Sequence, residues 1–286
     1  TDDGIIIEGE YCVGHQEQLY IEPQGMIAIP REDGGLTFVG SMQCPFYIEK
    51  ALAPMLGHKR INVIQAATGG GFGGKEEYPS MLAAHAALLA METGKPVKMV
   101  YRRDEDLRAT TKRHPSIIKI RSVVSPEGHL QQWDADILMD GGAYNTLTPV
   151  VLSRAILHLT GPYRCPRQHL TGKAVATHTP PNGAFRGFGA PQAMWAVERH
   201  MDRIARTLDI DPVELRRRNL VRDGDTTATG QTLVDTGALI VLEEALEAAE
   251  EPIQRDPVHP GGGEGRYARG RGVSLVFHGC GFTGNG

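Results

Sequence analysis

Five of the six residues from Gly69 to Gly74 are glycine, and this stretch constrains the fold of the chain more than any other. An apolar run, Ile61–Ala67, precedes it, and a pattern typical of a helix begins at about Glu76. Because glycine has no side chain, main-chain N–H groups can approach a ligand closely here, and the start of the next helix adds partial positive charge. The stretch therefore predicts a strand–loop–helix unit that holds an anionic or oxo-bearing ligand.

Two nucleotide-binding motifs also match parts of this loop. Three of its glycines satisfy G-x-G-x-x-G, but a match within so dense a glycine run is weak. The seven residues that end at Lys75 fit the start of the phosphate-binding motif G-x-x-x-x-G-K-[ST], yet Glu76 stands where a magnesium-binding Ser or Thr is required. A carboxylate at that position repels phosphate. A nucleotide-binding protein that uses the Gly69–Glu76 loop, or a glycine connector without a ligand, are the alternative hypotheses.

The composition excludes several classes of protein. With 286 residues, 41% hydrophobic and 22% charged, the chain can bury a substantial core in one large or two ordinary domains. A net charge of −4 without a basic face argues against a nucleic-acid partner. Because no apolar run reaches about 18 residues and the first residues do not resemble a signal peptide, we expect no membrane association and a cytoplasmic protein.

Cysteine and histidine spacing argues against a metal ion bound directly by the protein. The four cysteines are far apart and form no C-x-x-C pair, namely Cys12, Cys44, Cys165 and Cys280. We expect them to be reduced and buried, and we expect no zinc or iron–sulfur centre within this chain. The eleven histidines include no H-E-x-x-H motif.

Hydrophobic periodicity and turn residues predict most of the secondary structure. The predicted strands are a run after Gly25, Leu36–Val39, Val97–Tyr101, Ser116–Val124, Leu130–Met139 and Arg271–Phe277. The predicted helices are Phe46–Leu56, Glu76–Glu92, Pro191–Leu208, Thr236–Glu250 and one capped by Asp211 ahead of Pro212. Arg102–Asp106 is predicted to be a solvated charged loop, and Pro257–Gly263 a linker.

A second glycine-bearing turn, Pro180–Gln192, also leads into a long helix. Like the first turn, it carries a phenylalanine and a charged residue among its glycines. Two such helix N-termini can converge on one ligand. Arg154 lies between the turns in an apolar run, Val150–Leu157, where an arginine is costly to bury without a partner. It is a candidate site residue, although a structural ion pair explains it equally well.

The two turns and several shorter stretches resemble the large, molybdenum-binding subunit of the xanthine dehydrogenase and aldehyde oxidase family. The matching segments are Gln43, Gly69–Glu76, Arg113–Pro115, Arg154, Ala184–Gln192, Asp211–Pro212 and Leu215–Leu220. The resemblance implies an α+β fold with mixed and antiparallel sheets and packed helices, of the molybdopterin-binding type. It implies a first molybdopterin-binding domain in residues 1–228. In residues 229–286 it implies a linker helix and the first strand of a truncated second one.

The resemblance also implies a cofactor, a molybdenum ion held through a pyranopterin, which is molybdopterin or its cytosine dinucleotide. Gln43, Gly71, Phe72, Gly73 and Arg186 match the positions that contact this cofactor in the family. This agrees with the residues themselves, since amide donors from glycine turns stabilise an anionic metal–oxo group without acting as metal ligands.

Three further matches concern the substrate. Glu76 and Arg154 match residues that orient a purine in the xanthine-oxidising members, and Phe188 matches a ring that stacks on it. The family hydroxylates an electron-poor carbon with water as the oxygen source. The resemblance therefore implies a molybdenum hydroxylase acting on a purine, a related N-heterocycle or an aldehyde.

The chain lacks the Gly-Glu-Pro-Pro-like motif that carries the family's catalytic glutamate. We therefore expect no catalytic residue before Gly286 and expect the chain to be a fragment that is inactive alone. The expected partners are the remaining molybdopterin domain and the domains or subunits that carry iron–sulfur clusters and FAD. A non-catalytic scaffold module is a further alternative.

Overall fold

The computed structural model describes residues 4–249 and 271–278. Within these ranges the chain forms two four-stranded sheets with helices packed against them. The elements are β1 (Ile5–Val13), β2 (Gly25–Pro30), β3 (Leu36–Gly40), α1 (Pro45–Leu56), β4 (Ile61–Gln65), α2 (Pro79–Thr93), β5 (Val97–Val100), α3 (Arg103–Ala109), β6 (Ser116–Val124), β7 (Leu130–Gly142), α4 (Thr148–His158), β8 (Gln168–Ala176), α5 (Ala190–Leu208), α6 (Pro212–Asn219) and α7 (Ala238–Glu247). The predicted α+β fold with mixed sheets is confirmed.

The first sheet has the strand order β4-β3-β2-β5 and is covered by α1 and α2. Its pairings are antiparallel except for β3 with β4, which are parallel. The buried face of α2 consists mostly of alanine, which lets the helix lie close to the sheet. This packing holds the end of β4 and the start of α2, between which the first glycine loop runs.

The second sheet has the order β1-β6-β7-β8, with α4 and α5 on its buried face. The hairpin of β6 and β7 forms as predicted, and β8 adds in parallel to β7. Apolar residues at three- and four-residue spacing on α5, such as Val197, Met201 and Ile204, are buried against this sheet. Because α5 begins directly after the second glycine turn, the core of this layer positions that turn.

The charged stretch Arg102–Asp106 was wrongly predicted to be a solvated loop. It begins helix α3, whose first turn is closed by the Arg102 N–H donating to Glu105 Oε2 at 2.8 Å. Asp106 is fully buried and accepts hydrogen bonds from the Tyr20 hydroxyl (2.6 Å) and the Gln24 N–H (2.8 Å). Its partners lie more than 80 positions earlier in the chain, so local sequence does not reveal the burial.

Other local predictions also need correction. No strand is assigned to Arg271–Phe277 within the described part of the chain, and Cys12 is exposed on β1 rather than buried. Cys44 and Cys165 are free, half-buried thiols, whereas Cys280 and the Pro257–Gly263 linker lie outside the described residues. The predicted helix at Thr236–Glu250 is present as α7.

Among residues 4–249 and 271–278, no helix has the length and apolar character needed to cross a membrane.

Candidate functional site

The first glycine loop is a tight turn that Gln43 holds in place. Gln43 Oε1 accepts hydrogen bonds from the N–H groups of Gly73 (2.9 Å) and Lys75 (3.3 Å). A Cβ atom on Gly71 would lie 2.8 Å from Gln43 Cδ, so only glycine fits against that side chain. Phe72 has a φ of 49°, a left-handed conformation that is uncommon for a bulky residue and indicates a backbone held under strain.

The second glycine loop repeats this geometry and contacts the first loop directly. Phe188, like Phe72, has a left-handed φ, here 53°. The Arg186 N–H donates to the Phe72 carbonyl oxygen at 2.9 Å. At Gly73, a Cβ atom would lie 2.7 Å from the carbonyl carbon and oxygen of Ala184. The structure therefore brings the two loops together backbone to backbone, which is the arrangement expected for two turns that share one ligand.

Several donors at this junction have no acceptor in the part of the chain that the structure describes. Among the described residues, no acceptor pairs with the N–H groups of Gly70, Gly71 and Phe72 or with the exposed guanidinium of Arg186. The side chain of Phe72 is 47% exposed, so the strained turn faces outward rather than into the core. Such a set of donors stabilises negative charge on a ligand.

Lys75 is not part of this donor set. It is fully buried, and its Nζ donates to Glu22 Oε2 at 2.8 Å and to Ser41 Oγ at 2.9 Å. Burial by itself would raise the pKa of Glu22, but hydrogen bonds from Lys75, Ser41 and the Gly69 N–H lower it to about 2. A phosphate-binding loop uses its lysine for the ligand. Here the lysine ties the loop to the core, which disfavours the nucleotide hypothesis.

Two buried side chains that sequence reasoning did not select hold the second loop. Gln18 Nε2 donates to the Ala184 carbonyl at 2.8 Å, and Arg113 donates to the Arg186 carbonyl at 3.0 Å. Arg113 also lies over the Phe185 ring, 3.9 Å from its centroid. Burial lowers the pKa of Arg113 to about 10. Arg113 belongs to one of the matching sequence segments, but only the fold shows what its guanidinium contacts.

The three predicted substrate residues lie on elements that border the junction. Glu76 follows the first loop and is half-buried, and this burial raises its pKa. Arg154 lies on α4, and its Nη1 is 3.0 Å from His278 Nε2. A Cβ atom on Gly189 would collide with the Val151 carbonyl oxygen of α4, so α4 packs directly against the second loop. Phe188 is partly buried against the second-sheet core.

Replacing Gln43 with alanine is expected to lower the free energy of unfolding by about 1 to 2 kcal/mol, because two loop amides lose their acceptor. Gln231, which is exposed in a distant loop, is the matched control, and its replacement with alanine is expected to change little. Urea denaturation followed by circular dichroism measures both. Equal stability of the two variants would show that Gln43 does not hold the loop.

A family model described as the molybdopterin cofactor-binding domain matches residues 2–220 of this chain. The chain belongs to this family. It is a molybdopterin-binding domain of the xanthine dehydrogenase and aldehyde oxidase type, as the resemblance implied.

Known members of the family are similar over most of this chain. It is 39% identical over 250 residues to the nicotinate dehydrogenase large molybdopterin subunit of Eubacterium barkeri, covering 86% of this chain and 58% of that one. It is 35% identical over 231 residues to mouse xanthine dehydrogenase/oxidase, covering 80% and 17%. The solved aldehyde oxidoreductase of Desulfovibrio gigas superimposes with a TM-score of 0.80 at 30% identity, covering 85% and 27%. The chain thus spans between 17% and 58% of the length of these relatives, less than two thirds of each.

The donors at the loop junction fit the molybdopterin cofactor of this family. The two loops present bare backbone and N–H groups without acceptors in residues 4–249 and 271–278, which suit an anionic metal–oxo group and its pterin. Among the described residues, no three His, Cys, Asp or Glu side chains are placed to bind a metal ion.

Proposed function

We propose that this chain supplies the first half of the molybdopterin pocket in a molybdenum hydroxylase that oxidises a purine or related N-heterocycle, with an aldehyde as the alternative substrate. The observation that carries the proposal is the contact between two Phe-bearing glycine loops, joined by the Arg186 N–H and the Phe72 carbonyl. When bound, the molybdenum centre supplies the redox chemistry that hydroxylates an electron-poor carbon, with water as the oxygen source.

In this proposal the loops bind and orient the cofactor. The N–H groups of Gly71 and Phe72 donate to it, and Gly73 keeps the first loop against the second. The Gln43 side chain would hold the loop through its oxygen, and the exposed guanidinium of Arg186 would add positive charge for the cofactor. Loop N–H groups fixed in this way are what electrostatic preorganisation requires.

The substrate is held by Glu76, Arg154 and Phe188. Burial raises the pKa of the Glu76 carboxyl group, and this group can form a hydrogen bond with an N–H group of a heterocycle. The Arg154 guanidinium provides further donors on α4, and Phe188 offers an aromatic face. A pair of hydrogen-bonding groups beside an aromatic ring suits a planar heterocycle better than a simple aldehyde.

Further parts are required for turnover. We propose that the second molybdopterin domain supplies the catalytic glutamate, and that iron–sulfur and flavin domains or subunits remove the electrons. The pterin is molybdopterin or its cytosine dinucleotide, and the protein is cytoplasmic. This chain matches only part of each relative, and the remaining length of each relative is sufficient for such further parts.

The full-length protein is expected to contain molybdenum and to oxidise hypoxanthine or nicotinate with an artificial electron acceptor. Replacing Glu76 with alanine is expected to lower kcat/KM for the heterocycle about 10- to 100-fold, the loss expected for a hydrogen bond that involves a charged or strongly polar group. Steady-state kinetics and elemental analysis measure both quantities. A smaller loss is expected with a simple aldehyde, which makes fewer polar contacts.

Glu32, exposed in the turn between β2 and β3, provides the matched control as Glu32→Ala. A wild-type protein without molybdenum that is stabilised by ATP or NAD in a thermal-shift assay would contradict the proposal and favour the nucleotide hypothesis. Normal activity after replacement of Gln43, Glu76, Arg154 and Arg186 would favour a scaffold.

A further inference from the structure

Glu77, the residue after the predicted substrate-binding Glu76, carries a carboxyl group for which the proposed reaction has no role. Both of its oxygens are buried, and neither has a hydrogen-bond partner in standard geometry among the described residues. An unpaired buried carboxyl group costs free energy, so its retention requires an explanation.

The carboxyl group of Glu77 lies where three elements of the site meet. A Cβ atom on Gly183, at the entrance of the second glycine loop, would collide with Glu77 Oε1, and it would lie 2.8 Å from Thr111 Cβ. The N–H groups of Leu147, at the start of α4, and of Ala184, in the second loop, are close enough to lower the pKa of Glu77. The residue directly after the first loop therefore places its carboxyl group beside the second loop and the start of the helix that carries Arg154.

The charges around Glu77 are mostly acidic. Burial, with a further contribution from the negative charge of Glu76, raises its pKa to about 7, and the Thr146 hydroxyl and the two N–H groups oppose this rise. Cys44 and Tyr47, on the α1 side, are the other titratable groups that sense its charge. Lys112, beside Thr111, is paired with Glu17 at 2.8 Å and is not available as a counter-ion.

We propose that Glu77 is a positioning residue whose ionised carboxylate draws the start of α4 and the second glycine loop toward the first loop, and so aligns Arg154 with Glu76. This inference rests on the proposed function. Ionised carboxylates accept hydrogen bonds from backbone N–H groups much more strongly than protonated ones do. The aligned site therefore forms as pH rises through neutrality, when Glu77 loses its proton to solvent.

The direction of the pH dependence follows because the ionised form of Glu77 is the one that aligns the site. If only the ionised form is aligned, the apparent KM varies inversely with the ionised fraction. For a group that titrates at about 7, that fraction rises about tenfold between pH 6 and pH 8, so KM for the heterocycle is expected to fall about tenfold. In Glu77→Gln, which cannot ionise, KM is expected to stay near its high acidic value at both pH values.

The experiment compares the full-length wild-type protein, Glu77→Gln and the exposed control Glu32→Gln at pH 6 and pH 8. Besides KM and kcat, hydrogen exchange corrected for intrinsic pH effects is measured on peptides that contain Leu147 and Ala184. We expect both peptides to be more protected at pH 8 than at pH 6 in the wild type and the control, with no such difference in Glu77→Gln.

Two results would overturn this inference. One is a Glu77→Gln protein that keeps the wild-type change of KM with pH, and the other is wild-type exchange that does not differ between the two pH values. Because exchange is measured without turnover, it tests Glu77 even in a protein that holds no molybdenum. A full-length protein that holds no molybdenum would instead count against the proposed function, so the two failures are distinguishable.

Discussion

Replacing Gly73 with alanine is expected to push the two glycine loops apart and to reduce the molybdenum content of the full-length protein at least about tenfold, the effect of roughly 1.4 kcal/mol on cofactor binding. The added Cβ would lie 2.7 Å from Ala184 carbonyl atoms and 2.8 Å from the Phe185 N–H nitrogen. These are backbone atoms that cannot rotate away, so the loops themselves must move. That movement breaks the Arg186–Phe72 contact.

The same substitution is also expected to destabilise the fold. Gly73 has a φ of 97°, and a left-handed backbone at a non-glycine residue costs about 1 to 2 kcal/mol. Steric overlap in a well-packed region adds about 1 to 3 kcal/mol. Elemental analysis gives the molybdenum content, and urea denaturation gives the free energy of unfolding.

Gly94, which ends helix α2, provides the matched control. Its φ of 64° is also left-handed, but no atom lies within 4 Å of the position that a Cβ would occupy. Gly94→Ala is therefore expected to cost only the backbone strain, about 1 kcal/mol, and to leave the molybdenum content unchanged. Equal molybdenum content in the two variants would show that the loops do not need to touch in order to bind the cofactor.

The second large effect is expected for Arg216→Met, which should lower the free energy of unfolding by about 3 to 5 kcal/mol. Arg216 is fully buried on α6, where its Nε donates to Glu198 Oε2 at 2.9 Å and its Nη2 donates to Asp202 Oδ1 at 2.9 Å. Removing the guanidinium leaves the Glu198 carboxylate buried without a cation. The Leu275 N–H also donates to Glu198, so the attachment of residues 271–278 is expected to weaken too.

The loss in Arg216→Met is expected to grow as pH rises. Burial already raises the pKa of Glu198, against the lowering by Arg216 and Tyr163, and losing Arg216 raises it further. An acid with a raised pKa in the folded state holds its proton longer than in the unfolded chain, so stability falls as pH rises through that interval. Denaturation midpoints at acidic and neutral pH measure this difference.

Arg217, the next residue, pairs with Glu243 and Glu214 on the partly exposed surface. Arg217→Met is expected to cost at most about 1 kcal/mol, because water solvates the charges that remain. If Arg216→Met and Arg217→Met lowered the free energy of unfolding equally, burial would not be what makes the contacts of Arg216 with Glu198 and Asp202 important.

Local sequence was sufficient where the signal lies within a few residues. The hairpin of β6 and β7 has alternating residues around a Pro and Gly turn, and both features are local. The start of α6 was equally predictable, because the Asp211 carboxylate accepts hydrogen bonds from the N–H groups of Val213 and Glu214 directly after it. The glycine loop was identifiable because dense glycine has few other structural uses.

Local sequence failed where the deciding partner is distant in the chain. Strand β8 has polar and apolar residues mixed along it and is defined by its parallel pairing with β7. A strand at Arg271–Phe277 was predicted from its local residue pattern, but β-propensity describes how side chains fit a neighbouring strand rather than a property of the backbone. Asp106 was predicted to be a solvated charge because its hydrogen-bond partners, Tyr20 and Gln24, are distant from it in the chain.

By itself, the sequence determined that two glycine turns each lead into a helix. It also placed Gln43, Glu76, Arg154 and Arg186 as candidates, whose roles remain predictions. Only the tertiary structure decided that the turns touch through backbone atoms, that Lys75 faces the core, and that Glu77 lies at the junction. The physical reason is that motifs record residue types along the chain, whereas burial, hydrogen bonding and pKa depend on groups that folding brings together.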